Sequence, residues 1–254
     1  MNAETLKGVT LHDATLRGQG GGPPPHVDTP VNVWQARATT MEKSRYIAIE
    51  GPIGVGKTTL ATALADRLGG RVVLEAVEEN PFLPGFYQDR RKHAFQAQLF
   101  FLLSRYQQQQ ELFQQDLFNQ VTIADYLFAK DRIFASLTLE PNELALYERI
   151  WQVLGARVVK PDLVVYLQAR PEVLASRVKK RGRDFERGVG VDYLETVSRA
   201  YGDFFFHYEE TPLLVVNTSD IDLGDEADLD ALQKEIRRHR RGRLHFSLAG
   251  HGGS

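Results

Sequence analysis

Residues 51–58 read Gly-Pro-Ile-Gly-Val-Gly-Lys-Thr and satisfy the spacing G-x-x-x-x-G-K-[ST]. That spacing serves one kind of chemistry, the grip of a polyphosphate. Glycines let the backbone curl until successive N–H groups point inward. In such a cradle Lys57 reaches the β- and γ-phosphates and the Thr58 hydroxyl ligates Mg2+. The positive end of the following helix adds to the pull. The expected nucleotide-binding residues are therefore Gly51, Pro52, Ile53, Gly54, Val55, Gly56, Lys57, Thr58 and Thr59. From composition alone the octamer arises in on the order of one chain in a hundred. Its flanks sharpen it further, because an apolar strand at 46–50 precedes it and a helix striped with Leu60, Leu64 and Leu68 follows.

A phosphate loop alone fits kinases, GTPases, ATPases and motors, so the acceptor side must come from other residues. Two further apolar runs end in acids, Glu75 and Asp125, as the first does in Glu50. Ligands of an open parallel sheet collect beyond the carboxyl ends of its strands, which puts these carboxylates beside the terminal phosphate. Glu75 and Asp125 are the stronger functional candidates of the three. Gln98 and Arg105 are seven residues apart and share one face of an apolar helix. A carboxamide and a guanidinium there can read the edge of a nucleobase. The nearby Phe95, Phe100 and Phe101 either stack on that base or fill core. A buried arginine demands a partner, and Asp131 is the candidate. Downstream, Arg177, Arg181 and Arg183 cluster where Gly182 interrupts a helix, as suits a lid that closes over a transferring phosphoryl group.

The elements that must hold these groups are short apolar strands at 46–50, 71–75, 121–125, 163–168 and 213–217. Helical patterns lie between them at 57–68, 90–116, 128–156 with a break at Pro141, 171–181, 191–208 and 226–241. Alternation of this kind predicts a parallel sheet covered on both faces. The expected organisation is a disordered extension over 1–44, one catalytic domain over 45–241 and a loose tail over 242–254. The first segment carries Gly20-Gly-Gly-Pro-Pro-Pro25, and Met41 offers an alternative start. A net charge of -2 gives no global attraction to nucleic acid or to an anionic membrane. No run reaches the length of a membrane span. The chain has no cysteine, which removes disulfides, thiolate metal sites and a thiol nucleophile and is compatible with the cytoplasm.

Taken together, Gly51–Thr59, Glu75-Ala-Val77, Tyr87, Gln98, Leu103-Ser-Arg105, Asp125 and Arg181-Gly-Arg-Asp-Phe-Glu186 resemble the deoxynucleoside kinases, closest to the bacterial deoxyadenosine/deoxyguanosine kinase branch. The resemblance spans about residues 45–240. It implies an α/β P-loop kinase three-layer fold, a five-stranded parallel sheet flanked by helices, assembled as a homodimer. It also implies ATP- and Mg2+-dependent phosphorylation of a deoxyribonucleoside in nucleotide salvage, purine preferred. In this pattern Glu75 accepts the proton of the 5′-hydroxyl and Gln98 reads the base, with Arg105 and Asp131 tuning the choice. Tyr87 and Glu186 hold the sugar 3′-hydroxyl, Asp125 supports Mg2+, and Arg177, Arg181 and Arg183 form the lid. Lys57, Arg181 and Arg183 join Glu75 as catalytic groups.

Two departures stand out. The family's acid-Arg-Ser triplet is here Asp125-Tyr126-Leu127, and Lys130 is the candidate for the missing charge. Phe95-Gln96 also matches the family's Phe-Gln wording, which would make Gln96 the reader; spacing from Tyr87 and Arg105 favours Gln98. Rival readings are a thymidylate kinase-like nucleoside-monophosphate kinase and a non-catalytic nucleotide-binding regulator. The first needs an extra cation for the acceptor phosphate, where this chain puts Glu75. The second leaves Glu75 and Gln98 without work.

Overall fold

The computed structural model describes residues 45–115, 121–186 and 188–247. Its frame is one sheet built from β1 (Arg45–Glu50), β2 (Arg71–Val73), β3 (Val121–Ala124), β4 (Leu163–Gln168), β5 (Leu213–Asn217) and β6 (Arg243–Phe246). The strands run in the order β2-β3-β1-β4-β5-β6, and every pairing is parallel. Parallel strands are covered on both faces, so they read as continuous apolar runs such as Leu163-Val-Val-Tyr-Leu167.

The helices are α1 (Lys57–Leu68), α2 (Leu83–Gln88), α3 (Arg90–Gln115), α4 (Asp131–Thr138), α5 (Pro141–Gly155), α6 (Pro171–Arg181), α7 (Val191–Phe206) and α8 (Glu226–Arg238). Their ends follow from local chemistry. The α1 helix stops at Gly69 in the left-handed region. The α5 helix opens with Pro141 and a reciprocal cap between Glu140 and Glu143. At α8 the Asp225 carboxylate accepts from the Ala227 and Asp228 N–H groups.

Strand alternation divides the core. Ile47 and Ile49 face one side with Leu60, Leu64, Leu232 and Ile236 from α1 and α8. Ala48, Val164 and Tyr166 face the other with Val197, Tyr201 and Phe205 of α7. A third cluster, Phe86, Ala97, Leu102, Phe128 and Tyr147, joins α2, α3, α4 and α5 beside the sheet. Between β3 and β4 the strand order reverses around β1, so the crevice beyond the β1 carboxyl end is the natural binding place of this topology.

The structure corrects the expected elements in four places. The sheet has six strands, not five, and the sixth lies inside the stretch read as a loose tail. Its Leu244 and Phe246 turn toward the first core cluster. The Arg243 guanidinium donates to the carbonyls of Phe205 and Phe206, both at 2.9 Å, which ties the new edge to the end of α7. The β2 and β3 strands stop at Val73 and Ala124, so Glu75 and Asp125 belong to loops. Residues 83–88, to which the sequence patterns assign no helix, form α2, since proline suits a first helical turn. The 128–156 segment divides into a short 3-10 turn (Phe128–Lys130), α4 and α5. The readings of 1–44 and 248–254 lie outside the described residues. Among the described residues no helix is long and apolar enough to cross a membrane.

Candidate active site

The loop between β1 and α1 is threaded where only small residues fit. A Cβ on Gly54 would lie 2.8 Å from Val178 Cγ2 and 2.9 Å from the Leu174 carbonyl of α6. One on Gly56 would lie 2.6 Å from Leu223 Cδ1, and both glycines hold positive φ. Gly56 caps α1 without any side-chain acceptor, which leaves the first helical N–H groups directed at the cleft. Ile53, Gly54, Gly56, Lys57, Thr58 and Thr59 line that cleft, while Gly51, Pro52 and Val55 are buried behind it and shape the loop. The Lys57 ammonium folds back on the Gly51 carbonyl at 2.8 Å and the Pro52 carbonyl at 3.3 Å. Burial, and then the charge of Lys130, push this ammonium below its ordinary value.

Asp125, just past β3, joins the loop to the acceptor side. Its Oδ2 accepts from the Thr58 hydroxyl at 2.6 Å, and its Oδ1 accepts from the Glu75 N–H at 2.7 Å. The Glu75 carboxylate is 12% exposed and has a cation on each oxygen. Arg105 donates to Oε1, and Lys130 donates to Oε2 at 2.8 Å. Burial alone would raise this carboxyl, but Arg105 and Lys130 overcome it and hold the group well below the usual carboxylate range. The other arm of Arg105 donates to Asp131 at the start of α4. Arg105 Nε and Asp131 Oδ2 keep unused hydrogen-bonding capacity among the described residues.

Glu50, the weakest of the three acids by sequence, proves to be a hub with no surface on the cleft. It is fully buried and accepts from the Gly51 N–H at 2.9 Å, the Tyr201 hydroxyl at 2.9 Å and the Leu127 N–H at 2.6 Å. One carboxylate therefore fixes the start of the phosphate loop and the turn after β3.

Gln98 and Arg105 line the cleft from one face of α3. Gln98 is 4% exposed, whereas Gln96 lies on the exposed face of the helix. Phe101 lines the cleft, and the Arg105 guanidinium sits 4.9 Å from its ring centroid. Phe100 instead meets Phe82 edge-on at 6.5 Å, and Phe95 packs in the third core cluster. Tyr87 also lines the cleft; burial first, then Tyr193 and Glu186, push its phenol up.

At the end of α6, where the sequence suggested a lid, Arg181 donates to both Glu186 oxygens, at 3.2 and 2.5 Å. Arg183 pairs with Glu78 at 3.3 Å and lies 3.9 Å from Glu186. Arg177 lines the cleft, yet its guanidinium is committed to the Thr218 hydroxyl at 3.1 Å and the Thr218 carbonyl at 2.8 Å, with the Val55 carbonyl at 3.4 Å. It staples the phosphate loop to the end of β5. All these walls enclose one continuous cavity of about 1050 Å³. Sequence reasoning missed several of its lining residues: Phe134 on α4, Tyr193 and Tyr201 on α7, Lys180 on α6 and the 221–224 loop. None sits in a spacing that singles it out before the elements are assembled.

A phosphate-gripping loop, an ionised carboxylate across one cleft and arginines beside it, all on a parallel sheet, define a P-loop phosphotransferase. The chain belongs to the deoxynucleoside kinase family, whose model matches residues 47–239. It is 40% identical over 200 residues to deoxyguanosine kinase of Bacillus subtilis, covering 78% of this chain and 95% of that one. It is 35% identical over 181 residues to deoxyadenosine kinase of Dictyostelium discoideum, covering 69% and 73% of the two. Among solved structures it resembles the M. mycoides deoxyadenosine kinase with dCMP and dCDP bound, at TM-score 0.67 and 27% identity, over 76% of this chain and 98% of that one. The protein is an enzyme that phosphorylates deoxynucleosides.

The hub geometry of Glu50 carries a stability prediction. Glu50→Ala should lower unfolding free energy by about 3–5 kcal/mol, the cost of stripping a buried charge cluster of one partner. Urea denaturation of the two proteins measures it, and a loss below about 1 kcal/mol would mean that the three donors find substitutes.

Proposed function

We propose that the enzyme transfers the γ-phosphoryl group of ATP to the 5′-hydroxyl of a purine deoxyribonucleoside. The reading is carried by Glu75, an ionised carboxylate tied through Asp125 to the phosphate loop and lining the same cavity as Gln98. The deoxyguanosine and deoxyadenosine kinases among its relatives support the purine preference.

In this reading the base lies against Gln98, whose carboxamide offers a donor and an acceptor, with Arg105 and Asp131 beside it. Tyr87 and Glu186 hold the sugar 3′-hydroxyl. The 5′-oxygen attacks the γ-phosphorus, the bond to the bridging oxygen breaks and its electrons leave with ADP. The hydroxyl proton passes to Glu75. Lys57, Arg181 and Arg183 compensate the charge that develops on the phosphates, and Arg177 keeps the loop in place. A carboxylate held ionised beside the acceptor repels a phosphate, which disfavours a monophosphate acceptor.

The donor set fits Mg2+. The Thr58 hydroxyl and the Asp125 carboxylate are hard oxygens 2.6 Å apart, and Mg2+ commonly takes one or two protein oxygens with substrate phosphates and water completing its shell. Thr58 and Asp125 would hold the ion, which when bound supplies charge neutralisation for the triphosphate.

We further infer a cytoplasmic homodimer with no nucleic-acid or membrane partner. Leu103 on α3 and Leu146 and Val153 on α5 expose large apolar side chains, which supports association with a second copy. Sedimentation of the full chain at twice the monomer mass supports this; a monomer at micromolar concentration overturns it.

A labelled-phosphate transfer panel across the natural nucleosides with Mg-ATP tests the activity. ATP turnover should depend on added nucleoside and be fastest with deoxyguanosine or deoxyadenosine; turnover indifferent to nucleoside would end the kinase reading. Within that panel Glu75→Gln should lose on the order of 100-fold or more in kcat, with nucleoside affinity kept within a few-fold. Unchanged turnover would remove Glu75 from the chemistry. Gln98→Ala should raise nucleoside KM by about tenfold or more, the scale of one or two lost hydrogen bonds to a buried ligand, and Gln96→Ala should leave it near wild type. The reverse order would make Gln96 the reader.

A further inference from the structure

The cleft contains a second buried ammonium, offered by the sequence for a missing charge, that the transfer step above does not use. Lys130 closes the 3-10 turn between β3 and α4, is 3% exposed and lines the same cavity as Lys57 and Glu75. Its Nζ donates to Glu75 Oε2 at 2.8 Å, while its next carboxylate oxygen, Glu50 Oε1, is 3.9 Å away and beyond hydrogen-bond reach. An ammonium carries three donors, so Lys130 has capacity left for a ligand.

The fold holds this ammonium firmly. Glu50 accepts the Leu127 N–H at the start of the turn, and the Lys130 N–H closes the turn on the Leu127 carbonyl at 3.0 Å. On the far side, Asp131 is fixed by Arg105. The backbone that carries Lys130 is thus pinned before and after it by buried carboxylates.

Its hydrogen bonds to its neighbours leave it free donors: Glu75 also accepts from Arg105, which it shares with Asp131, and both Glu50 oxygens already accept from Gly51, Tyr201 and Leu127. Burying an ammonium costs several kcal/mol before pairing, and placing a second one near Lys57 costs more through repulsion that already lowers the Lys57 value. Two ammoniums converging on one cavity are repaid when an anion forms between them. A phosphoryl group leaving the phosphate loop for an acceptor held at Glu75 is such an anion.

We propose that Lys130 is a catalytic residue, holding Glu75 with one N–H and donating another to the 5′-oxygen as it bonds to phosphorus. This rests on the phosphoryl-transfer reading above. As the new O–P bond forms, the hydroxyl proton goes to Glu75 and the electrons of the broken P–O bond leave on ADP. Lys130 keeps its own protons throughout and stabilises charge on the attacking oxygen and the phosphoryl group.

The test compares wild type with Lys130→Met and Lys130→Arg for kcat, KM and nucleoside affinity by calorimetry. Lys130→Met should lose on the order of 100- to 1,000-fold in kcat, the range for removing one preorganised donor. Its nucleoside and ATP affinities should stay within about threefold, and Lys130→Arg should recover at least about a tenth of wild-type kcat. A Met variant within about threefold of wild-type kcat would overturn the proposal. So would a parallel loss of affinity and kcat that arginine does not rescue, since that marks a packing role. If Lys130→Met does not fold, Lys130→Gln carries the same criteria. A wild-type chain inactive on every deoxynucleoside would overturn the functional reading itself, whereas an active wild type with an equally active Met or Gln variant overturns this proposal alone.

Discussion

The separation between the phosphate loop and the Glu75 carboxylate is set by a single side chain. Asp125 has two oxygens, one accepting from Thr58 at the start of α1 and the other from the Glu75 backbone beyond β2. Charge-assisted bonds of 2.6 and 2.7 Å leave little slack. The β3 strand pairs with both β1 and β2, so the carboxylate at its end lies between the elements that each bond anchors. Phosphoryl transfer needs alignment more than covalent chemistry, and this bridge supplies alignment from inside the sheet.

Around it lies a concentration of buried charge that adds no stability of its own. Glu50, Asp125, Asp131, Arg105 and Lys130 are all buried, and Glu75 nearly so. Desolvating such groups costs as much as their mutual attraction returns; the stability comes from the three apolar clusters that flank them. What the charges provide is mutual constraint. Glu75 cannot rotate without abandoning Arg105 or Lys130, and Arg105 cannot follow it without abandoning Asp131. The same network keeps Glu75 ionised, because two cations outweigh the effect of burial.

The frame of the molecule was legible in its sequence where a local pattern determined it. Strands buried on both faces require apolar runs, and β1, β4 and β5 stand where those runs stand. The phosphate loop was legible for the same reason, since its glycines, lysine and threonine are contiguous. The β6 strand was not, because Arg243-Leu-His-Phe246 alternates over only four residues and two of them are charged or polar; it pairs because Arg243 finds three carbonyls near the end of α7. The acids at 75 and 125 looked like strand ends and are loop residues; the Asp125 N–H still donates to the Val73 carbonyl of β2 at 3.1 Å, and its carboxylate takes the Glu75 N–H. Glu50 looked equivalent to them in one dimension. Only the approach of Tyr201, 151 positions away, and of Leu127 makes it internal scaffolding.

Arg181 and Arg183 extend the same logic to another wall of the cleft. Glu186 sits at the edge of the cavity that holds Tyr87, and its two oxygens take the Arg181 guanidinium side-on while Arg183 reaches across to Glu78 on the β2 side. Here the crossing contact is Arg183 with Glu78, whereas Asp125 joins the loop to Glu75 and Asp131 joins α3 to α4. The partners deeper in the site are remote in sequence: 67 positions for Thr58 with Asp125, 55 for Lys130 with Glu75 and 26 for Arg105 with Asp131. A periodicity argument works within one element and cannot see such pairs. It can select the residues that face inward, and Gln98 and Arg105 do face the cleft, but which acid meets which base is settled by the order of strands in the sheet.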